Sequence, residues 1–307
     1  MPLKDELNGY LRLPRTFFGI PEPKSGDPDV GIVGVPYDLT SSYKPGPRFG
    51  PDAIRQATDS ERSHSYSLSL SRQEMADVPL TKILTLEDVG DLEVALRLPE
   101  AAAIDISEAC AKLTPRNSKL LFLGGDHFIT YPILKGLKRG RPGRYGLVYL
   151  DAHADLYSDM GGYQLSHATG VRRMVDSDLV SIEDIAAYDL RSAIPTQREE
   201  MTGSKAPIQS KKQFHKRIEE IGNRVDILYV SVDIDVLAPE IAPGVSHPES
   251  GGLSMMDLVE LLISTFKTGK VRYADVVELN PMVDTTGVTA IAARDIVKEI
   301  LTGFANL

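Results

Sequence analysis

The sequence predicts a three-layer α/β/α sandwich around a central, mostly parallel sheet. Three observations point there: short apolar runs recur along the chain, the runs are apolar on both faces, and helical patterns separate them. A strand covered by helices on both sides needs two apolar faces, and steady strand–helix alternation builds such a sheet. The 307 residues contain no internal repeat and no linker-like stretch, so one domain is expected over 1–307.

Taken in order, residues 1–29 are rich in Pro, Gly and charge and read as an arm draped on the domain. "DVGIVGV" (29–35) is the first strand. "PDAIRQAT" follows as a helix with Pro51 in its first turn, where a missing N–H costs nothing. The Ser-rich piece 59–73 reads as a surface loop. A helix over 99–113 also starts at a proline and carries Cys110, read as a small core residue. As the single cysteine it leaves no internal disulfide, which suits a reducing, cytoplasmic setting. Further strands are expected at 119–125, 145–151, 185–190, 225–233 and 271–279. "LSMMDLVELLISTF" is a helix with Ser254 as N-cap and Asp257 three residues on. In "GVTAIAARDIVKEIL", Val288, Ile291, Ala292, Ile296 and Ile300 mark one helical face.

Charge narrows the partners. A formal net charge of −9 disfavours a nucleic-acid binder, whose affinity rests on Lys and Arg against phosphates. It is compatible with a small cationic substrate, because an acidic cleft concentrates cations. The acid-bearing N-terminus is not a signal peptide, and no apolar stretch nears the ~18 residues of a membrane span.

The unusual residues collect after strands, where open parallel sheets bind ligands. "LLFLGGDHFITYP" ends in Gly124-Gly125, read as a tight turn that brings His127 to the sheet edge. "YLDAHAD" places Asp151, His153 and Asp155 on one face if strand alternation continues; "VSVDIDVLAP" does the same for Asp233 and Asp235. "DVVELNP" adds Glu278. One such cluster is more often a cap or turn. Several at successive strand ends are different, since five carboxylates on one rim repel each other and need a cation. Oxygen-rich ligation with two imidazoles suits Mn²⁺, and six candidate ligands fit two ions ~3.5–4 Å apart that share a carboxylate. Such a pair lowers the pKa of a water. A carboxylate outside the ligand set, Glu278, suits a planar guanidinium. His167, in "YQLSHATGVRR", is a natural proton shuttle beside such a site.

Together, "GVPYD", "GPRFGPDAIR", "GGDH", "DAHAD", "SVDIDVLAP", "GGLS" and "DVVELNP" resemble the ureohydrolases: arginases, agmatinases and related guanidino-acid hydrolases. The resemblance runs from about Gly31 to Ile300 and implies an arginase-like fold, two Mn²⁺ per subunit and urea release from a guanidinium. It implies His127, Asp151, Asp155 and Asp233 on one ion, and Asp151, His153, Asp233 and Asp235 on the other. It further implies His167 as the proton-transfer residue, Glu278 as the guanidinium-binding acid, Asp155 as a proton relay, and a homo-oligomer, often a trimer or hexamer.

The chain departs from the family's pattern in three places. Ala238 replaces a third acid after Asp233 and Asp235, outside the ligand set. His247 in "GVSHPESGG" stands where many members have Thr, as in plant-type arginases, and is read as a substrate or product contact or a structural support. Tyr157 and Ile194 occupy places where animal-type arginases hold the amino-acid head, so Tyr157 is read as substrate-binding and the substrate leans to agmatine, with arginine, guanidinobutyrate and guanidine as alternatives. Two readings from other classes compete: a one-zinc deacetylase of similar fold, for which His127 and Asp235 would be superfluous, and a non-catalytic relative, which would be free to lose ligands.

Overall fold

The computed structural model describes residues 17–59, 63–68, 78–114, 116–203, 207–208 and 210–305. In chain order the elements are β1 (Val30–Val35), α1 (Gly50–Thr58), β2 (Leu86–Asp91), α2 (Pro99–Leu113), β3 (Lys119–Gly124), α3 (Thr130–Gly140), β4 (Tyr145–Leu150), α4 (Gly170–Asp176), β5 (Ile185–Tyr188), α5 (Pro195–Gly203), β6 (Pro207–Ile208), α6 (Lys211–Gly222), β7 (Ile227–Asp233), α7 (Met255–Phe266), β8 (Val271–Val277) and α8 (Val288–Ala305). The strands form one eight-stranded sheet in the order β2-β1-β3-β8-β7-β4-β5-β6, and every pairing is parallel.

Strand alternation sorts the core into two layers. Leu121 and Leu123 of β3 and Val148 and Leu150 of β4 face one core, with Ile54 of α1, Phe214 of α6, Leu258 of α7 and Ile296 of α8. Leu120 and Phe122, and Leu147 and Tyr149, face the other, with Ile106 of α2, Ile133 of α3 and Val171 of α4. The sandwich expected from two-faced apolar runs is therefore present. Cys110 is fully buried on α2. Phe17, Phe18 and Ile20 of the arm are buried in the first core, and Pro21 accepts a hydrogen bond from Leu86 N at 3.0 Å. The remainder of the arm, 1–16, and residues 60–62 and 69–73 of the Ser-rich piece lie outside the described residues; Ser65 and Ser67, within it, are buried.

Two expectations need correction. The expected strands do not include β2 and β6, which are the two edges of the sheet. An edge strand pairs on one side only, so β2 carries polar residues: Asp88 accepts two hydrogen bonds from Arg55 at 2.9 Å, and Asp91 a third at 2.5 Å. On α8 the buried stripe is Ala292, Ala293, Ile296, Val297, Ile300, Leu301 and Phe304, while Val288 and Ile291 fall on its exposed flank. The cap of α7 is as expected: Ser254 Oγ accepts from Asp257 N at 3.1 Å, and Asp257 accepts from Ser254 N at 3.4 Å. Among the described residues, no helix is long and apolar enough to cross a membrane.

Candidate metal centre

Four neighbouring strands in the middle of the sheet, β3, β8, β7 and β4, carry the acids and imidazoles at their carboxyl ends. They are distant in sequence, so the sheet order alone makes them a cluster. Gly125 permits this by close approach, not by a turn: a Cβ there would stand 1.7 Å from the Tyr37 carbonyl oxygen. That carbonyl accepts from Asp126 N at 2.7 Å, and His127 then opens a short 3₁₀ turn, 127–129.

Asp233 closes β7, but strand alternation does not place Asp151, His153, Asp155 or Asp235. β4 ends at Leu150, and Asp155 reaches the site through a left-handed backbone, φ 48°. Asp235 lies in a 3₁₀ turn, 234–236, whose start is capped by Asp233 Oδ1 on Asp235 N at 2.8 Å. Glu278, just past β8, is also left-handed at φ 64°, with its N–H on Gly125 O at 2.9 Å. Non-glycine residues in this region are uncommon, and two of them here face one site, which is where backbone strain tends to be kept.

Ligand atoms converge in two groups that share Asp151: His127, Asp151 and Asp233, and Asp151, His153 and Asp235. His127 Nδ1 lies 2.8 Å from Asp151 Oδ2, 3.1 Å from Asp233 Oδ2 and 3.5 Å from Asp155 Oδ2. His153 Nδ1 lies 2.9 Å from Asp235 Oδ2 and 3.5 Å from Asp151 Oδ1. All but His153 are buried.

The hydrogen-bond chain behind His127 decides its tautomer. Ser231 Oγ donates to Asp275 Oδ1 at 2.6 Å, so its one hydrogen is engaged. Ser231 Oγ must therefore accept from His127 Nε2, 2.8 Å away. Thr130 and Tyr229 hold the other oxygen of Asp275, each at 2.7 Å. The neutral ring thus turns an Nδ1 lone pair toward two carboxylates. The contact to Asp151 Oδ2 lacks hydrogen-bond geometry, and that oxygen has no other partner. Acceptors converging on acceptors are what a cation, or extra protons, must reconcile. The residues fit a divalent metal.

Without a cation, protons take that place. Burial alone would lower both imidazoles, but Asp151 and Asp233 raise His127 well above its ordinary value, and Asp151 with Asp235 pushes His153 up to about 12. Burial, then the Asp151 charge, raises Asp155 to about 7. Burial and Asp235 raise Asp233 well above the carboxylate range, while Asp151, against its burial, is pulled down by His127 and His153. Ligation requires all of these protons to leave. Adding a divalent metal ion to chelator-treated protein at pH 7 is therefore expected to release protons, and apparent affinity should weaken as pH falls from about 12, more steeply below about 7 where Asp155 also holds a proton. Titration calorimetry in buffers of different ionisation enthalpy measures this; uptake with no proton release would contradict the geometry.

Glu278 is buried beside the cluster. Its Oε1 accepts from His127 N at 2.8 Å, and its Oε2 has no partner. Burial, then the nearby Asp126, raises it well above its ordinary value. His167 opens the 3₁₀ turn 167–169; burial, then His247, lowers it to about 3, so its ring is neutral. His247 stacks on it, ring centroids 4.8 Å apart. Tyr157 is 37% exposed and bonds through its N–H to Ala168 O, next to His167. Ile194 is likewise on the surface.

Several residues at the site were not read from the sequence. Tyr149 stacks on His127 at 4.9 Å and donates to Asp155 Oδ2 at 2.7 Å. Ser231 and Asp275 orient His127, and Thr40 bonds both Asp126 and His167 N. Only Asp275 leaves a signal: an acid in the middle of "YADVV", the buried part of its strand.

A parallel α/β/α sandwich with a buried carboxylate–imidazole cluster at the strand ends is the architecture of a metallohydrolase. Comparison with known proteins agrees. The sequence matches the arginase family over residues 28–303. It is 32% identical over 284 residues to a guanidinobutyrase of Pseudomonas aeruginosa, covering 89% of this chain and 85% of that protein. It is 31% identical over 290 residues to an agmatinase of Bacillus subtilis, covering 92% and 94%. The solved proclavaminate amidino hydrolase of Streptomyces clavuligerus superposes with a TM-score of 0.80 at 28% identity, covering 96% of this chain and 98% of that one. The chain belongs to the arginase family, metal-dependent hydrolases that act on amidino groups.

Proposed function

We propose that this enzyme hydrolyses agmatine to putrescine and urea at a pair of Mn²⁺ ions. His127, Asp151, Asp155 and Asp233 would hold one ion, and Asp151, His153, Asp233 and Asp235 would hold the other. Two groups of ligand atoms joined at Asp151 support two sites over the single zinc of a deacetylase, since His127 and Asp235 each belong to a group. When bound, such ions supply a water that ionises near neutral pH.

The observation that carries the substrate class is Glu278. A buried carboxylate with one oxygen on a backbone N–H and the other unpartnered is set up for a planar cation. Glu278 fixes the guanidinium over the cluster. Asp155, held by Tyr149, receives the proton released as water attacks the guanidinium carbon. His167 protonates the leaving amine, and Tyr157 lines the wall next to it.

The far end of the substrate favours an amine over a carboxylate. Glu249 puts its own carboxylate 3.6 Å from His153 Nε2 on the half-open side of the site. Arg191, packed against the same turns, is engaged by Asp189 and by the carbonyls of Asp235 (2.7 Å) and Val236 (3.2 Å). An ammonium is thus better placed there than the carboxylates of arginine or guanidinobutyrate. Assay of urea from agmatine, arginine, guanidinobutyrate and guanidine tests this. We expect kcat/KM for agmatine to exceed the others by at least about tenfold, the scale of one charged contact. Urea from none would sink the class, and preference for a carboxylate-bearing substrate would sink the choice within it. Assembly as a trimer or hexamer belongs to the same reading; a solution mass near the 33.6 kDa of one chain would remove it.

A further inference from the structure

A single hydroxyl, Ser42 Oγ, lies between two imidazoles: 3.0 Å from His167 Nε2 and 3.2 Å from His247 Nε2. The two rings stack, centroids 4.8 Å apart and planes 20° from parallel. Ser42 comes from the loop after β1 and is exposed, His247 is half-buried, and His167 is buried. Three segments far apart in sequence thus build a path from the surface to the ring beside the metal centre.

A hydroxyl has one hydrogen. It can donate to only one of the two Nε2 atoms and must accept from the other, so with both rings neutral one Nε2 carries hydrogen and its opposite does not. The tautomers are coupled through Ser42. A serine hydroxyl only passes a proton along, whereas an imidazole can take one at one ring nitrogen while releasing another from the second.

We propose that His247, Ser42 and His167 form a two-histidine proton relay that resupplies the buried imidazole from solvent. A solvent proton adds to His247 Nδ1 in concert with loss of the proton on its Nε2, so the ring, which packs edge-on against His153, passes charge without keeping it. The N–H bond at His247 Nε2 breaks as its proton passes to Ser42 Oγ, and the hydrogen of Ser42 passes to His167 Nε2. His167 gives its Nδ1 proton to the leaving amine. Ser42 is left with one hydrogen and both rings are neutral, so one proton has moved from solvent to product. Thr40, which accepts His167 N at 3.0 Å and donates to Asp126 Oδ2 at 2.6 Å, fixes the backbone of the inner ring. The groups facing His247 are His167, His153, Asp151, Asp235 and Glu249, with the Tyr43 ring 6.1 Å away on the outer side.

This rests on the ureohydrolase reading only for its catalytic consequence, so the test has two arms. In the kinetic arm, His247→Ala and Ser42→Ala are expected to lower kcat by at least about tenfold with KM changed less than about twofold, and added imidazole should restore kcat of His247→Ala saturably. A kcat that holds while KM rises would make His247 a substrate contact and overturn the relay, as would a loss that no buffer restores. The structural arm uses ¹⁵N-histidine NMR of the Zn²⁺-loaded, diamagnetic protein, in which six histidines can be assigned by substitution. Opposite protonation at the two Nε2 atoms, uncoupled in Ser42→Ala, is expected. The same state at both in the parent protein would overturn the proposal. Wild-type protein that releases no urea would instead fail the functional reading, leaving the NMR result to decide the relay.

Discussion

Asp151→Asn is expected to remove both metal ions at once and to lower kcat by at least about a thousandfold, equivalent to about 4 kcal/mol of barrier. The reason is positional. Asp151 is the one residue common to the two groups of converging ligand atoms, while Asp235 belongs only to the group with His153. The amide side chain keeps the shape of the carboxylate and the oxygen that accepts His153 N at 2.5 Å, so the turn after β4 should survive. In the metal-free protein the Asp151 charge is what holds His127 and His153 protonated, so the metal-free variant should be less stable than the parent at neutral pH. Asp235→Asn should weaken the second group alone and leave about one equivalent bound. Metal analysis after gel filtration, with kcat on the same samples, separates the cases. Two equivalents and full turnover in Asp151→Asn would refute the shared-ligand arrangement, and complete loss of both ions in Asp235→Asn would refute two separable groups.

That pair of variants also marks where sequence reading reached its limit. The acids and imidazoles of "GGDH", "DAHAD" and "SVDID" stood out because charged residues rarely follow buried apolar strands without purpose. Their geometry did not stand out. Period-two alternation does not continue past the strand ends: Asp155 arrives by a left-handed residue and Asp235 by a 3₁₀ turn. Central strands were legible because burial on both faces makes them apolar. The edges β2 and β6 were not, since one open side lets an edge carry Asp88 and Asp91 like any loop. The groups that orient the ligands were least legible. Tyr149 and Ser231 blend into the strands they sit in, and Ser42 meets His247 across 205 residues of separation with no local pattern to announce it.

Glu278→Gln is expected to separate activity from stability. At the site, a neutral amide cannot form the paired charge-assisted bonds a guanidinium needs. Truncating one partner of a buried charged pair costs about 2–5 kcal/mol, so kcat/KM should fall by at least about thirtyfold while metal content stays unchanged. In the unliganded protein the sign reverses. Glu278 is buried, one oxygen is unpartnered, and its pKa is raised well above 4.5. A raised carboxyl destabilises the folded state only where the unfolded chain would ionise it. The penalty is therefore absent below about 4.5, grows as pH rises, and levels off above the folded value. Gln keeps the Oε1 that accepts His127 N, so nothing else is lost. Melting of the chelator-treated proteins should show the variant equal to the parent at pH 4 and more stable at pH 8. A variant less stable than the parent at pH 8 would mean that Glu278 is already satisfied within the fold, and the case for an oxygen kept free for substrate would fail with it.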